Sequence, residues 1–221
     1  MTPSDIQRAL TDFYRIEIPH DVEDFLCDRA LAERTTGQDP GPRGEVFLLA
    51  EGGNHEDTHI GLYLAPEALE QLAAGGDAWG DGRAHYASLA TEGVSHFLYV
   101  LFRAEREETL SQLELELQAE VDKYAAATLL FSPEQMMRGF GVGLIRSREM
   151  RRRIFIEAKF LDAPESEAGV RYRTATRLAA RYTRALEERF LRHGNLEGWR
   201  ADLAAFYRMP FRRKLEAATS R

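Results

Sequence analysis

Glu92 and His96 stand four residues apart, and so do Glu116 and Glu120, in two stretches that both read as helix. A four-residue helical step returns to within about 40° of its starting direction, so the members of each pair point to one side. If the two helices pack antiparallel, carboxylate oxygens and an imidazole nitrogen can converge on one divalent metal such as zinc. His96, Glu116 and Glu120 are then the candidate ligands, and Glu92 or Glu120 is the candidate catalytic base of a metal-dependent hydrolase. Carboxylate and histidine pairs in a bundle core also build di-metal centres, but those space Glu and His by three, and here the spacing is four. The same groups could instead form a buried ion-pair network with Arg103, because guanidinium and carboxylate pair readily.

Two further patterns invite chemistry. His55-Glu56-Asp57-Thr58-His59 satisfies the HExxH spacing of zinc metallopeptidases, which makes His55 and His59 a weaker alternative pair of ligands. That chemistry needs a helix, whereas Gly52-Gly53-Asn54 before it and Ile60-Gly61-Leu62-Tyr63-Leu64 after it read as a hairpin turn leading into a strand. Arg146, Arg148, Arg151, Arg152 and Arg153 form a basic run that could touch phosphates. It has no interleaved aromatics and no nucleic-acid module around it, so a solvated helix face is the simpler reading. Cys27 lies beside Asp24 and Asp28, with no electropositive neighbour to make a thiolate. Gly139-Phe140-Gly141-Val142-Gly143 lacks the strand before it and the lysine after it that a phosphate loop requires.

The elements that must position these residues follow from periodicity. Tyr86 to Arg106 is apolar around most of a helical wheel, through Leu89, Val94, Phe97, Leu98, Val100, Leu101 and Phe102, and so reads as a buried helix. Its one polar stripe is Glu92, Ser95, His96, Tyr99 and Arg103. Leu110 to Leu130 follows as a second helix, with Leu113, Leu117, Val121 and Tyr124 inward and Glu120 about 20° from Leu113. Upstream, the Ser4–Gln7 spacing of a capping box opens a helix over 5–15, and a second short helix is expected over 21–32. Residues 35–42 read as a loop, and the two strand-like runs from Glu45 to Ala50 and His59 to Leu64 as a β-hairpin, 45–64. Pro66 starts a helix through about Ala73. Downstream, Ser132-Pro133-Glu134-Gln135 caps a short helix, and Met150, Ile154, Ala158 and Leu161 recur at helical spacing, although Ile154-Phe155-Ile156 leaves a strand open. Helices over 170–193 and from Leu196 to Arg208 follow, stopped by Gly194 and Pro210, and 215–221 reads as frayed.

The blocks Glu92 to Phe97, Leu113 to Lys123 and Phe206 to Pro210 resemble blocks in an uncharacterised family of bacterial cytoplasmic proteins with no assigned activity. The resemblance implies a bacterial source and nothing about mechanism.

Composition bounds the rest. The chain has 221 residues, 44% hydrophobic and 29% charged, and is expected to form a single domain over 1–221. No apolar run reaches the roughly 18 residues of a membrane span, and Met-Thr-Pro-Ser-Asp is not a secretory signal. With one cysteine, this points to the cytoplasm and away from a membrane. The net charge of −7 hides an acidic half, 1–130, with nine basic against 25 acidic residues, and a basic half, 131–221, with 20 against 11. The expected fold class is α+β and mainly helical, a β-hairpin or small antiparallel sheet packed beside a helical bundle. The charge split and the lack of a complete catalytic motif favour a non-catalytic binding or adaptor protein, engaging a protein partner or itself. The alternative is the metal-dependent hydrolase with its Glu/His site on the helix pair. A second alternative is nucleic-acid binding through the basic half.

Overall fold

The computed structural model describes residues 1–37, 39–40, 44–51, 58–80, 82–129, 140–160 and 162–219. Among the described residues the chain is mainly helical with one two-stranded antiparallel sheet, as the periodicities require. It divides into two compact units, Met1–Arg8 with Glu17–Glu108, and Ala9–Ile16 with Thr109–Arg221. No described helix is long and apolar enough to cross a membrane.

The first unit is built on the hairpin. Strands β1 (Glu45–Glu51) and β2 (Thr58–Leu64) pair from Glu45 opposite Leu64 to Glu51 opposite Thr58. Leu62, Tyr63 and Leu64 are all buried, so both faces of β2 are covered. Side chains alternate along a strand. Tyr63 accordingly packs with Ala32 of helix α2 (Arg29–Thr36) on one side, and Leu62 meets helix α4 (Ala84–Ala104) on the other. Helix α3 (Pro66–Ala73), with proline in its first turn, also packs on α4. Phe97 of α4 stacks tilted against Phe25, 4.9 Å between centroids, and is fully buried.

The N-terminal helix α1 (Pro3–Tyr14) starts two residues earlier than the Ser4–Gln7 spacing suggests. Thr2 and Asp5 form the reciprocal cap instead: Asp5 N–H donates to Thr2 Oγ1 at 3.3 Å and Thr2 N–H to Asp5 Oδ2 at 2.9 Å. This frees Ser4 to donate to Asp21 at 2.6 Å and Gln7 to bond His20 O and Val22 N. The helix expected over 21–32 is two pieces, a 3₁₀ turn Val22–Phe25 capped by Asp21 and then α2 capped by Asp28. Leu26 bridges to Leu62 between them, and Cys27 N–H donates to Leu62 O at 2.9 Å, so edge pairing with β2 interrupts the helix. Helix α2 then runs through Thr35 and Thr36, which the sequence assigns to a loop, and stops at Gly37 with φ of 70°.

The second unit packs helix α5 (Gln112–Leu129) on the long helix α7 (Glu167–Arg189). Helix α6 (Phe140–Arg151) ends in a π-helical turn, Arg152–Ile156, in place of the strand left open there. Helix α8 (Leu196–Arg208) supplies Trp199, Leu203, Phe206 and Tyr207, all fully buried. Tyr182 and Phe206 stack at 4.0 Å, as do Tyr14 and Tyr207 at 4.2 Å. The C-terminal segment is not frayed: Phe211–Thr219 forms helix α9, pinned by buried Lys214 and Ala218. The capping box Ser132–Gln135 lies outside the described residues.

Candidate metal centre

Helix α4 is buried along almost its whole length, including Ser95, His96 and Arg103 of its polar stripe. Arg103 turns back one helical step, its Nε donating to Tyr99 Oη at 2.9 Å and its Nη2 to the same oxygen at 2.5 Å, while Nη1 engages Glu108. Part of the stripe is thus the ion-pair and hydrogen-bond network that its composition allows.

The other part gathers ligands. Glu92 and His96 stand one helical step apart on the same side of α4, and each offers a ligand atom there. His96 and Glu116 are buried, and Glu92 is half-buried. Zinc ligands bind about 2.0–2.2 Å from the metal, so tetrahedral neighbours sit roughly 3.3–3.6 Å apart. Two carboxylates offset the charge of a divalent cation, and the mixture of oxygen and imidazole nitrogen suits zinc and the neighbouring transition metals. Glu116 is steadied from its own unit by Arg171, whose Nε lies 3.6 Å from Oε1.

Glu120, the fourth candidate, is also buried. Its Oε1 accepts from Lys123 Nζ at 2.8 Å. The α5 helix proves to be buried all round, with Glu114, Glu116, Gln118, Glu120, Asp122 and Lys123 all enclosed. A helical wheel cannot rank Glu116 against Glu120 on such a helix. The weaker pair fares differently. His59 is an exposed residue of β2, paired opposite Ala50, and is therefore not on the helix that HExxH chemistry needs; His55 lies outside the described residues.

The sequence offered no reason to single out Glu45, yet its carboxylate is nearly enclosed and faces His96, Oε1 to Nδ1 at 3.6 Å. The space it occupies exists because residue 93 is glycine. A Cβ there would stand 3.0 Å from Glu45 Cγ and 2.6 Å from Leu62 Cδ1. The available signal was a glycine inside an otherwise continuous helical pattern, which marks a close approach when it recurs at a packed face.

The arginine run is met by carboxylates of the same chain. Arg146 and Arg153 reach Glu149 at 3.5 and 2.7 Å, Arg148 reaches Glu188 at 3.5 Å, and Arg152 engages Glu157. Arg151 Nε donates to buried Glu187 at 2.9 Å. Burial pushes the Cys27 thiol up, in keeping with an unreactive cysteine.

No family model matches the chain, and no curated protein and no solved structure is similar to it at a significant level.

Proposed function

We propose that this protein binds one divalent metal ion through Glu92, His96 and Glu116 and uses it for hydrolysis. The observation that supports this reading is the pair of Glu92 and buried His96 on one side of α4, with the Glu116 carboxylate enclosed on α5. Three protein ligands leave a coordination position for water, the arrangement of catalytic rather than structural zinc sites. A metal held there lowers the pKa of its water towards neutrality and polarises the bond to be cleaved. Glu92 then serves as a ligand, and Glu120, one helical turn from Glu116, is the carboxylate left for the base role. A cytoplasmic setting fits the single cysteine.

Elemental analysis of protein purified without chelator tests the first step. The expected result is close to one equivalent of metal, lost in H96A and in E116Q, with activity on ester or phosphodiester substrates that follows the metal content. Less than about a tenth of an equivalent, with no uptake of added zinc, manganese or iron, would overturn the reading and return the protein to a binding or adaptor role.

A further inference from the structure

Resting on that reading, a residue outside the three ligands has a defined place in the centre. Glu45 opens β1, and its backbone is fixed on both sides: it pairs with Leu64, and the preceding Gly44 O accepts from Ala65 N–H at 3.1 Å. Residues two apart on a strand share a face. Glu45 and Phe47 are such a pair, and both meet the same imidazole. The Phe47 ring lies edge-on to His96 at 5.9 Å, and Glu45 Oε1 faces Nδ1 at 3.6 Å. One strand face therefore sets both the tilt of the ring and the charge beside one of its nitrogens.

An imidazole that ligates a metal through one nitrogen carries its proton on the other, and a carboxylate or carbonyl acceptor there selects the tautomer. We infer that Glu45 is the positioning carboxylate of the centre, holding His96 as the Nδ1–H tautomer so that Nε2 is presented to the metal beside Glu92. The present separation exceeds hydrogen-bond length by roughly half an ångström, a distance closed by a small rotation of the glutamate. Gly93 is part of the device. It sits three residues before His96 on the same helix, and its missing side chain admits both Glu45 and Leu62.

Two measurements test this. The first needs no variant: long-range proton–nitrogen correlation on metal-free wild-type protein above about pH 8, where an imidazole is ordinarily neutral. His96, assigned by its loss in H96A, is expected to show protonated Nδ1 and bare Nε2; the reverse tautomer would overturn the role given to Glu45. The second is zinc affinity, read by competition with a chromogenic chelator. E45Q is expected to keep a stoichiometry of one and lose about ten- to a hundredfold in affinity. G93A, whose methyl displaces the Glu45 side chain, is expected to lose affinity in the same direction. An E45Q affinity equal to wild type, with wild type binding one zinc, would sink the positioning role and leave the metal centre standing. A wild type that binds no zinc would sink the metal centre and the role together.

Discussion

Burial pushes the Glu187 carboxyl up, against the pull of its own partners, Ser147 Oγ at 2.7 Å and Arg151 Nε at 2.9 Å. Ser147 is in turn hydrogen-bonded to Tyr124 Oη at 2.6 Å, and Trp199 Nε1 donates to the same phenol at 3.3 Å. Five side chains from four helices thus share one buried polar cluster, whose members satisfy one another as burial demands. A carboxyl whose native value lies above its unfolded value stabilises the fold while it is protonated. That contribution is complete below the unfolded value, about 4.3, and is lost as pH rises through the raised native value. Glu187→Gln keeps the shape and does not titrate. Urea unfolding of both proteins between pH 4 and 7 should show wild-type stability falling relative to E187Q as pH rises. A difference that is flat with pH would contradict the assignment.

Helix α9 shows how a short terminal element is held. Lys214 is fully buried, its Nζ donating to Gln118 Oε1 at 2.5 Å and lying 5.0 Å from the Phe206 ring centroid. Gln118 passes its amide to Asp122 Oδ1 at 2.7 Å, and Tyr14 Oη donates to the same oxygen at 2.5 Å. Burial and then the Asp122 carboxylate push the Tyr14 phenol up, so it remains a donor at every physiological pH. A buried lysine is costly unless it is hydrogen-bonded, and a cation over an aromatic face recovers part of that cost. Lys214→Ala removes the donor to Gln118 within a dry site and should destabilise the protein by about 1–3 kcal/mol in denaturant titration. A loss below about 0.5 kcal/mol, the range of ordinary surface substitutions, would mean that α9 is not anchored there.

For the whole molecule, several arginines of the basic half are met by carboxylates at short range. The arginines of the basic half meet Glu116, Glu187, Glu188 and Asp202 within their own unit. The exposed pairs among them, such as Arg148 with Glu188, contribute little each, but they satisfy charge that the sequence alone presents as a basic tract. Metal binding should register at this scale as well. A ligand that binds only the native state at a hundredfold excess over its Kd adds about 2.7 kcal/mol, which for a chain of this size raises the melting midpoint by roughly 5–11 °C. Calorimetry with zinc and with chelator measures the shift directly. H96A should show none, and an equal shift in H96A would place the metal elsewhere.

Sequence alone determined the local facts. Hydrophobic period and proline or glycine punctuation marked α3, α4, α5, α7 and α8 and the hairpin, because helix and strand repeats are properties of neighbouring residues. The four-residue step likewise put Glu92 and His96 on one side of α4. It misplaced elements where distant atoms intervene: the 21–32 helix, broken by pairing with Leu62, and the C-terminal tail, ordered by burial of Lys214. The surroundings of the candidate residues were decided by tertiary structure. Glu116 and Glu120 are both enclosed on α5, so its periodicity does not rank one carboxylate above the other. Glu45 reaches His96 from 51 residues away in sequence, through a gap that only the packing of β1 on Gly93 creates.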